Sequence, residues 1–215
     1  MAMRPRDLLA RHQELWRGAT RHPFLDGVRE GTLPRRAFER WLVQDYLFVR
    51  EGLAFQARLL ARAPRRDQRL LIGGLVALEE ELGWFEEQAR RRNLDLDARP
   101  HPANAAYCGF LAGLEGEPYA AALAALWALE RAYLEAWRGA APGHPEYREF
   151  VEHWTTPEFA DYVSGLEGAA EAALGEAGEG ARGRAEEAFV GVARFERGFW
   201  EMALEGTEEN GGRVG

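Results

Sequence analysis

The chain contains no lysine; all 27 of its basic residues are arginine. A lysine Schiff base and a P-loop lysine are thereby excluded. Cysteine occurs once, at Cys108, so no disulfide can close within the chain and no CxxC metal or redox pair exists. β-branched residues are scarce and strand patterning is nearly absent. No apolar stretch is long enough to cross a bilayer, and the N-terminal MAMRPRDLLARHQELW has no apolar h-region. Positive charge is also short: 27 basic residues against 35 acidic ones leave a net charge of −8 over 215 residues. That balance disfavours polyphosphate, and no helix-turn-helix or basic face offsets it. GxSxG, GxGxxG, HExxH and EF-hand patterns are missing. These absences predict a soluble, cytoplasmic protein with neither nucleic acid nor membrane as partner.

What remains is helical. Ala, Leu, Glu and Arg dominate, and apolar positions recur at steps of three and four. The pattern predicts an all-α, single-domain, multi-helix bundle, with helices over 6–18, 34–62, 67–92, 103–113, 117–138, 145–153, 157–175 and 182–206. Pro34, Pro64, Pro118 and Pro157 punctuate it, each at a helix start or stop. The glycine-rich run 175–183 reads as the most flexible connection. The domain is expected over 1–205 and a disordered polar tail over 206–215. The arginine clusters Arg62, Arg65, Arg66 and Arg90, Arg91, Arg92 sit at helix ends, where cations complement the dipole.

Three stripes carry an acid where a bundle would place leucine. They read Phe38, Leu42, Asp45, Val49, Gly52, Gln56, Leu59, then Tyr119, Leu123, Leu126, Glu130, Tyr133 or Leu134, Trp137, then Ala185, Phe189, Val192, Glu196, Phe199, Ala203. An unpartnered inward ion costs several kcal/mol, so Asp45, Glu130 and Glu196 need a reason to be there. Glu81, after Leu71, Leu75 and Leu78, is a fourth candidate; at its stripe's edge it can equally be solvated. Aromatic residues on or near these helices include Tyr46, Phe48, Phe55, Trp84, Tyr107, Trp127, Trp154 and Trp200. Singly they read as core; with inward acids they describe a flat, polar-edged pocket for a planar, nitrogen-rich ligand. A di-metal bundle is the rival reading, but it needs Glu-x-x-His on one face. Three residues after Glu81, Glu130 and Glu196 stand Trp84, Tyr133 and Phe199, so no metal and no cofactor are expected. His22, His101 and His144 precede proline and read as turn residues. Cys108, with no histidine near it, reads as a structural thiol.

The order of these residues resembles a known family. His22-Pro-Phe-Leu-Asp-Gly-Val-Arg-Glu-Gly-Thr-Leu-Pro34, Phe38 and Trp41-Leu-Val-Gln-Asp-Tyr46 are similar to the opening of the TenA / thiaminase II family. The likeness continues through Glu81, Pro102 to Tyr107, the helix around Trp127, Pro142-Gly-His-Pro145 and Phe195-Glu-Arg-Gly-Phe-Trp-Glu-Met-Ala203. The resemblance implies the haem-oxygenase-like helical fold, usually without haem, a homotetramer, and salvage of the pyrimidine half of thiamin by hydrolysis. It places Asp45 on the aspartate that accepts from the aminopyrimidine edge, Glu196 on the catalytic glutamate and Tyr107 on an active-site tyrosine. Trp154 and Glu130 stand where thiaminase-type members carry tyrosines, and Leu126 stands where they carry the nucleophilic cysteine. That departure resembles the TenA_E branch, which lacks the cysteine, has a glutamate one turn on, and is linked to aminomethyl- or formylaminomethyl-pyrimidine rather than intact thiamin. Catalytic roles then fall to Glu196 and Glu130, and substrate contacts to Asp45, Tyr107, Trp154, Glu81, Phe48 and Trp127. A non-catalytic pyrimidine- or thiamin-binding protein is the alternative.

Overall fold

A computed structural model describes residues 3–206, among which there are ten α-helices and no strand. The tail expected over 206–215 lies, apart from Gly206, outside the described residues. The elements are α1 (Pro5–Arg11), α2 (Gln13–Thr20), α3 (Pro23–Glu30), α4 (Arg35–Arg62), α5 (Arg65–Arg92), α6 (Pro102–Gly113), α7 (Tyr119–Ala140), α8 (Arg148–His153), α9 (Pro157–Glu176) and α10 (Glu179–Leu204), with one 3-10 turn over Leu114–Gly116.

Helix α7 is the axis. Ala120, Ala121, Ala122, Ala124, Ala125, Ala128, Ala132, Ala136 and Ala140 are all buried, so small side chains cover every face. Its first half, buried at every position from Ala120 to Ala128, is apolar all round and belongs in the interior, while Arg131, Glu135 and Arg138 bring the second half toward the surface. Its neighbours α2, α3, α4, α8, α9 and α10 pack directly on it. Helices α4 and α5 form a hairpin turned at Ala63 and Pro64, and α5 stops at Asn93, whose φ of 55° is left-handed. Arg62, in the last turn of α4, donates to the Leu114, Glu115 and Glu117 carbonyls and so fixes the hairpin's corner. At the other end Trp41, Trp137 and Trp154 form an aromatic block, with Trp154 stacked on Trp137 at 4.8 Å.

Local chemistry explains where the sequence pattern misled. The helix expected over 6–18 is two, meeting at His12 with ψ of 35°. Helix α3 was not expected; His22 caps it, its imidazole accepting from the Phe24 amide at 3.2 Å, and Gly31 closes it at φ 75°. His101 caps α6 in the same way. The run 175–183 is nearly all helix, only Ala177 and Gly178 lying between α9 and α10. Arg182 donates to the Leu174 and Gly175 carbonyls, which satisfies the end of α9 and removes the freedom that the glycines suggest.

Candidate functional site

The four acids come from four helices: Asp45 from α4, Glu81 from α5, Glu130 from α7 and Glu196 from α10. Asp45, Glu130 and Glu196 expose only 2%, 8% and 3% of their surface. Asp45, Glu81 and Glu130 line one cavity of about 640 Å³ between α4, α5, α7 and α9. That is the size of a small-molecule site, and its walls are largely apolar.

Each acid but one has a dedicated donor. Tyr133 Oη donates to Asp45. Trp154 Nε1 donates to Glu81 Oε1 at 2.6 Å, and Tyr107 Oη donates to Glu196 Oε1 at 2.7 Å. Glu130 has no hydrogen-bond donor among the described residues. The electrostatics follow from burial. Loss of water raises the Asp45 pKa well above the usual carboxylate range; the Tyr133 bond pulls it back, and the charges of Glu81 and Glu196 push it further up. Burial lifts Glu81 to about 7 against the Trp154 bond, and Glu196 to about 7 against the Tyr107 bond. Glu130 reaches about 8, through burial first and then the neighbouring charges of Glu81 and Glu196. At neutral pH such a cluster holds both protonated and ionised carboxyls. It can therefore give and take protons within one chamber.

The remaining candidates divide. Trp154 lines the cavity, held edge-on to Tyr133 at 5.3 Å and to Trp84 at 5.2 Å. Phe48 lines it too and packs on Tyr107 at 4.6 Å. Tyr107 and Glu196 stand one layer behind the wall, joined to it through Phe48 and through the charges felt by Asp45 and Glu130. Trp127 is wholly buried against Phe189 at 6.1 Å, on the face of α7 that packs toward α10, and is not among the residues that line this cavity. Leu126 lines the cavity one turn before Glu130. Cys108 does not; half-buried on α6, it contacts Asn104 Oδ1 at 3.4 Å, and burial raises its thiol to about 11.

Among the lining residues that the sequence did not single out are Tyr133, Gln56, Tyr162 and His153. Tyr133 and Gln56 stood on the stripes of Glu130 and Asp45, so their spacing carried the signal. Gln56 donates to the Leu71 carbonyl at 2.9 Å and accepts from Tyr162 Oη at 3.2 Å. Tyr162 and His153 had no such signal. His153 lies flat on Trp84 at 4.0 Å, and burial lowers its pKa to about 4, leaving it neutral.

This constellation has counterparts. The model of the TENA/THI-4/PQQC family matches residues 9–206. A Glycine max protein named "Probable bifunctional TENA-E protein" is 34% identical over 91% of this chain and 90% of its own. The aminopyrimidine aminohydrolase of Halalkalibacterium halodurans is 24% identical over 91% of this chain and 93% of its own. The solved structure of a TenA homologue from Pyrococcus furiosus superposes with a TM-score of 0.90 at 31% identity, covering 94% of this chain and all of that one. On the match across its length and on the shared helical architecture, the chain belongs to the TENA/THI-4/PQQC family.

Proposed function

We propose that this chain is a thiamin-salvage hydrolase that converts aminomethylpyrimidine, or its N-formyl derivative, to hydroxymethylpyrimidine. The observation that carries the reading is Glu130: a buried acid facing the cavity with no donor among the described residues, one turn from Leu126. Aminohydrolase relatives support the reaction class, and the TENA-E relative supports the branch. Asp45, whose carboxyl burial pushes well above the usual range, hydrogen-bonds the ring edge of the aminopyrimidine and accepts from its exocyclic amine. Trp154 and Phe48 bound the ring, and Glu81, fixed by Trp154, supplies a second acceptor. Water attacks the pyrimidine methylene; the C–O bond forms as the C–N bond breaks. Protonated Glu130 gives its proton to the departing nitrogen and, as the carboxylate so formed, takes one from the water as it adds; ionised Glu196 behind the wall acts through its charge, which raises Glu130 and keeps it protonated at the start. That no cysteine lines the cavity among the described residues supports a route without a thiol nucleophile. The proposal includes a cytoplasmic homotetramer, read by the mass of the purified protein in light scattering.

The test is turnover. Purified protein is incubated separately with 4-amino-5-aminomethyl-2-methylpyrimidine, the formylated amine and thiamin, with product followed by chromatography. Hydroxymethylpyrimidine from either amine, lost in Glu130→Gln and Glu196→Gln and nearly absent from thiamin, is the expected result. Faster cleavage of thiamin would refute the cysteine-free reading. Tight pyrimidine binding without turnover would replace the enzyme by a binding protein.

A further inference from the structure

The cavity is longer than the reaction requires. Helix α5 lines it from Glu81 back to Arg69, a twelve-residue step of about 18 Å at the α-helical rise. Helix α4 lines it from Asp45 to Gln56, about 16 Å. The two helices run antiparallel, with Gln56 bonded to the Leu71 carbonyl, so Asp45 and Glu81 share one end and Gln56 and Arg69 the other. A pyrimidine ring with its methylene nitrogen fills roughly half of such a trough.

The far half has its own chemistry. Gly52 and Gly73 face it, and a Cβ added at either would meet nothing within 4 Å, so the wall there is open rather than packed. Phe55, Leu70 and Phe159 make it apolar. Charge is divided along the length. Helix α9 runs antiparallel to α5, with Tyr162 on Gln56 and Gly165 against Leu70, which carries Glu158 toward the Glu81 end. The acids Asp45, Glu80, Glu81 and Glu158 therefore gather at one end, and Glu130, which feels Glu81 on one side and is felt by Tyr162 on the other, stands between the two halves. Arg69 is the one arginine of the lining, stands at the other end, and has no ion pair or hydrogen bond among the described residues.

We infer that the far half is a subsite for the substrate's nitrogen substituent: an apolar spacer lying along Gly52 and Gly73 and ending in a carboxylate or phosphate held by Arg69. The inference rests on the hydrolase proposal, and the reaction is unchanged. Water replaces the nitrogen at the methylene, and the departing amide or amine carries the anionic tail away with the proton it receives. Both tail chemistries are recognised by a guanidinium in the same forked geometry.

Three substrates test it: aminomethylpyrimidine bearing an N-hexanoyl spacer that ends in a carboxylate, a phosphate monoester or a neutral amide. The untailed amine runs beside them. With the native chain, an anionic tail is expected to raise kcat/KM about tenfold over the neutral tail. That preference should fade in Arg69→Gln and with added salt. The carboxylate and phosphate arms show which tail is read. Gly73→Leu should lower kcat/KM for all three tailed substrates about tenfold relative to the untailed amine, because leucine fills the open wall. Equal rates for anionic and neutral tails in the native chain, or a preference that survives Arg69→Gln, overturns the subsite. Turnover of the untailed amine reads the hydrolase proposal separately. If none of the four is hydrolysed, that proposal falls, and the dissociation constants of the same ligands decide the subsite by the same ratio.

Discussion

Replacing Glu130 by glutamine sets stability against function at one atom pair. An ordinary glutamate titrates near 4.5 and Glu130 near 8, because burial and the charges of Glu81 and Glu196 disfavour its ionised form. At 1.36 kcal/mol per decade, forcing Glu130 to ionise in the fold is disfavoured by about 5 kcal/mol. Between those two pH values the native chain holds a proton that the unfolded chain has released. The stability from that proton is complete below pH 4.5 and is lost as the pH rises through 8. Glutamine imitates the protonated acid and cannot ionise. Glu81 and Glu196 titrate in the same cluster and share the load, so the net gain for Glu130→Gln at pH 9 should be about 2 kcal/mol. For a chain of this length that raises Tm by about 4–8 °C at pH 9. At pH 5, where Glu130 is already neutral, Tm should move by no more than about 1 °C. Thermal unfolding followed by circular dichroism at the two pH values reads both. The same variant should lose about a hundredfold or more in kcat as its acid disappears. An equal Tm change at pH 5 and pH 9, or a lower Tm at pH 9, would refute the assignment of an unpartnered buried acid.

Further outcomes follow from neighbouring groups. The rate should describe a bell in pH, rising as Glu196 ionises near 7 and its charge holds the Glu130 proton, and falling as Glu130 loses that proton near 8; a flat profile from pH 6 to 9 would remove Glu130 from proton transfer and Glu196 from its support. Cys108→Ala should leave kcat/KM within about twofold, since the thiol, raised to about 11, stands outside the cavity lining; a loss beyond about tenfold would return it to the chemistry. Gly74→Ala should destabilise by about 1–3 kcal/mol in urea unfolding, because the new Cβ would stand 2.2 Å from both Gln56 Nε2 and Tyr162 Oη. An unchanged midpoint there would mean that the Gln56–Tyr162 bridge has slack to give.

The acids were legible because helical spacing is strict. Asp45, Glu130 and Glu196 each stood on a stripe whose other members must be buried, so the pattern alone turned them inward, and the structure buries all three. Glu81 stood at a stripe's edge, where periodicity has no power. Its inward turn comes from Trp154, a residue 73 positions away whose indole N–H supplies the donor. The same limit hid α3 and the two-helix start. An eight-residue helix gives too few turns for a period, and its real marker is a histidine cap that composition does not weigh. The run 175–183 failed for the opposite reason. Glycine raises the entropy of a free chain, yet Arg182 reaches back to two carbonyls of α9 and ties the corner.

Position on a helix, then, states which residues enter the interior but not which of them meet. Trp127 and Leu126 are adjacent on α7, and one residue's rotation sends the first against Phe189 and the second into the cavity. The pairing of acids with donors is likewise tertiary: Tyr133 with Asp45, Trp154 with Glu81 and Tyr107 with Glu196 are each contacts between different elements. Those three bonds make the fourth acid informative. A fold that, among the described residues, provides a donor for every buried carboxylate but Glu130 leaves that one open to a group that is not part of the chain, and the open trough beside it, running on to Arg69, is where such a group would lie.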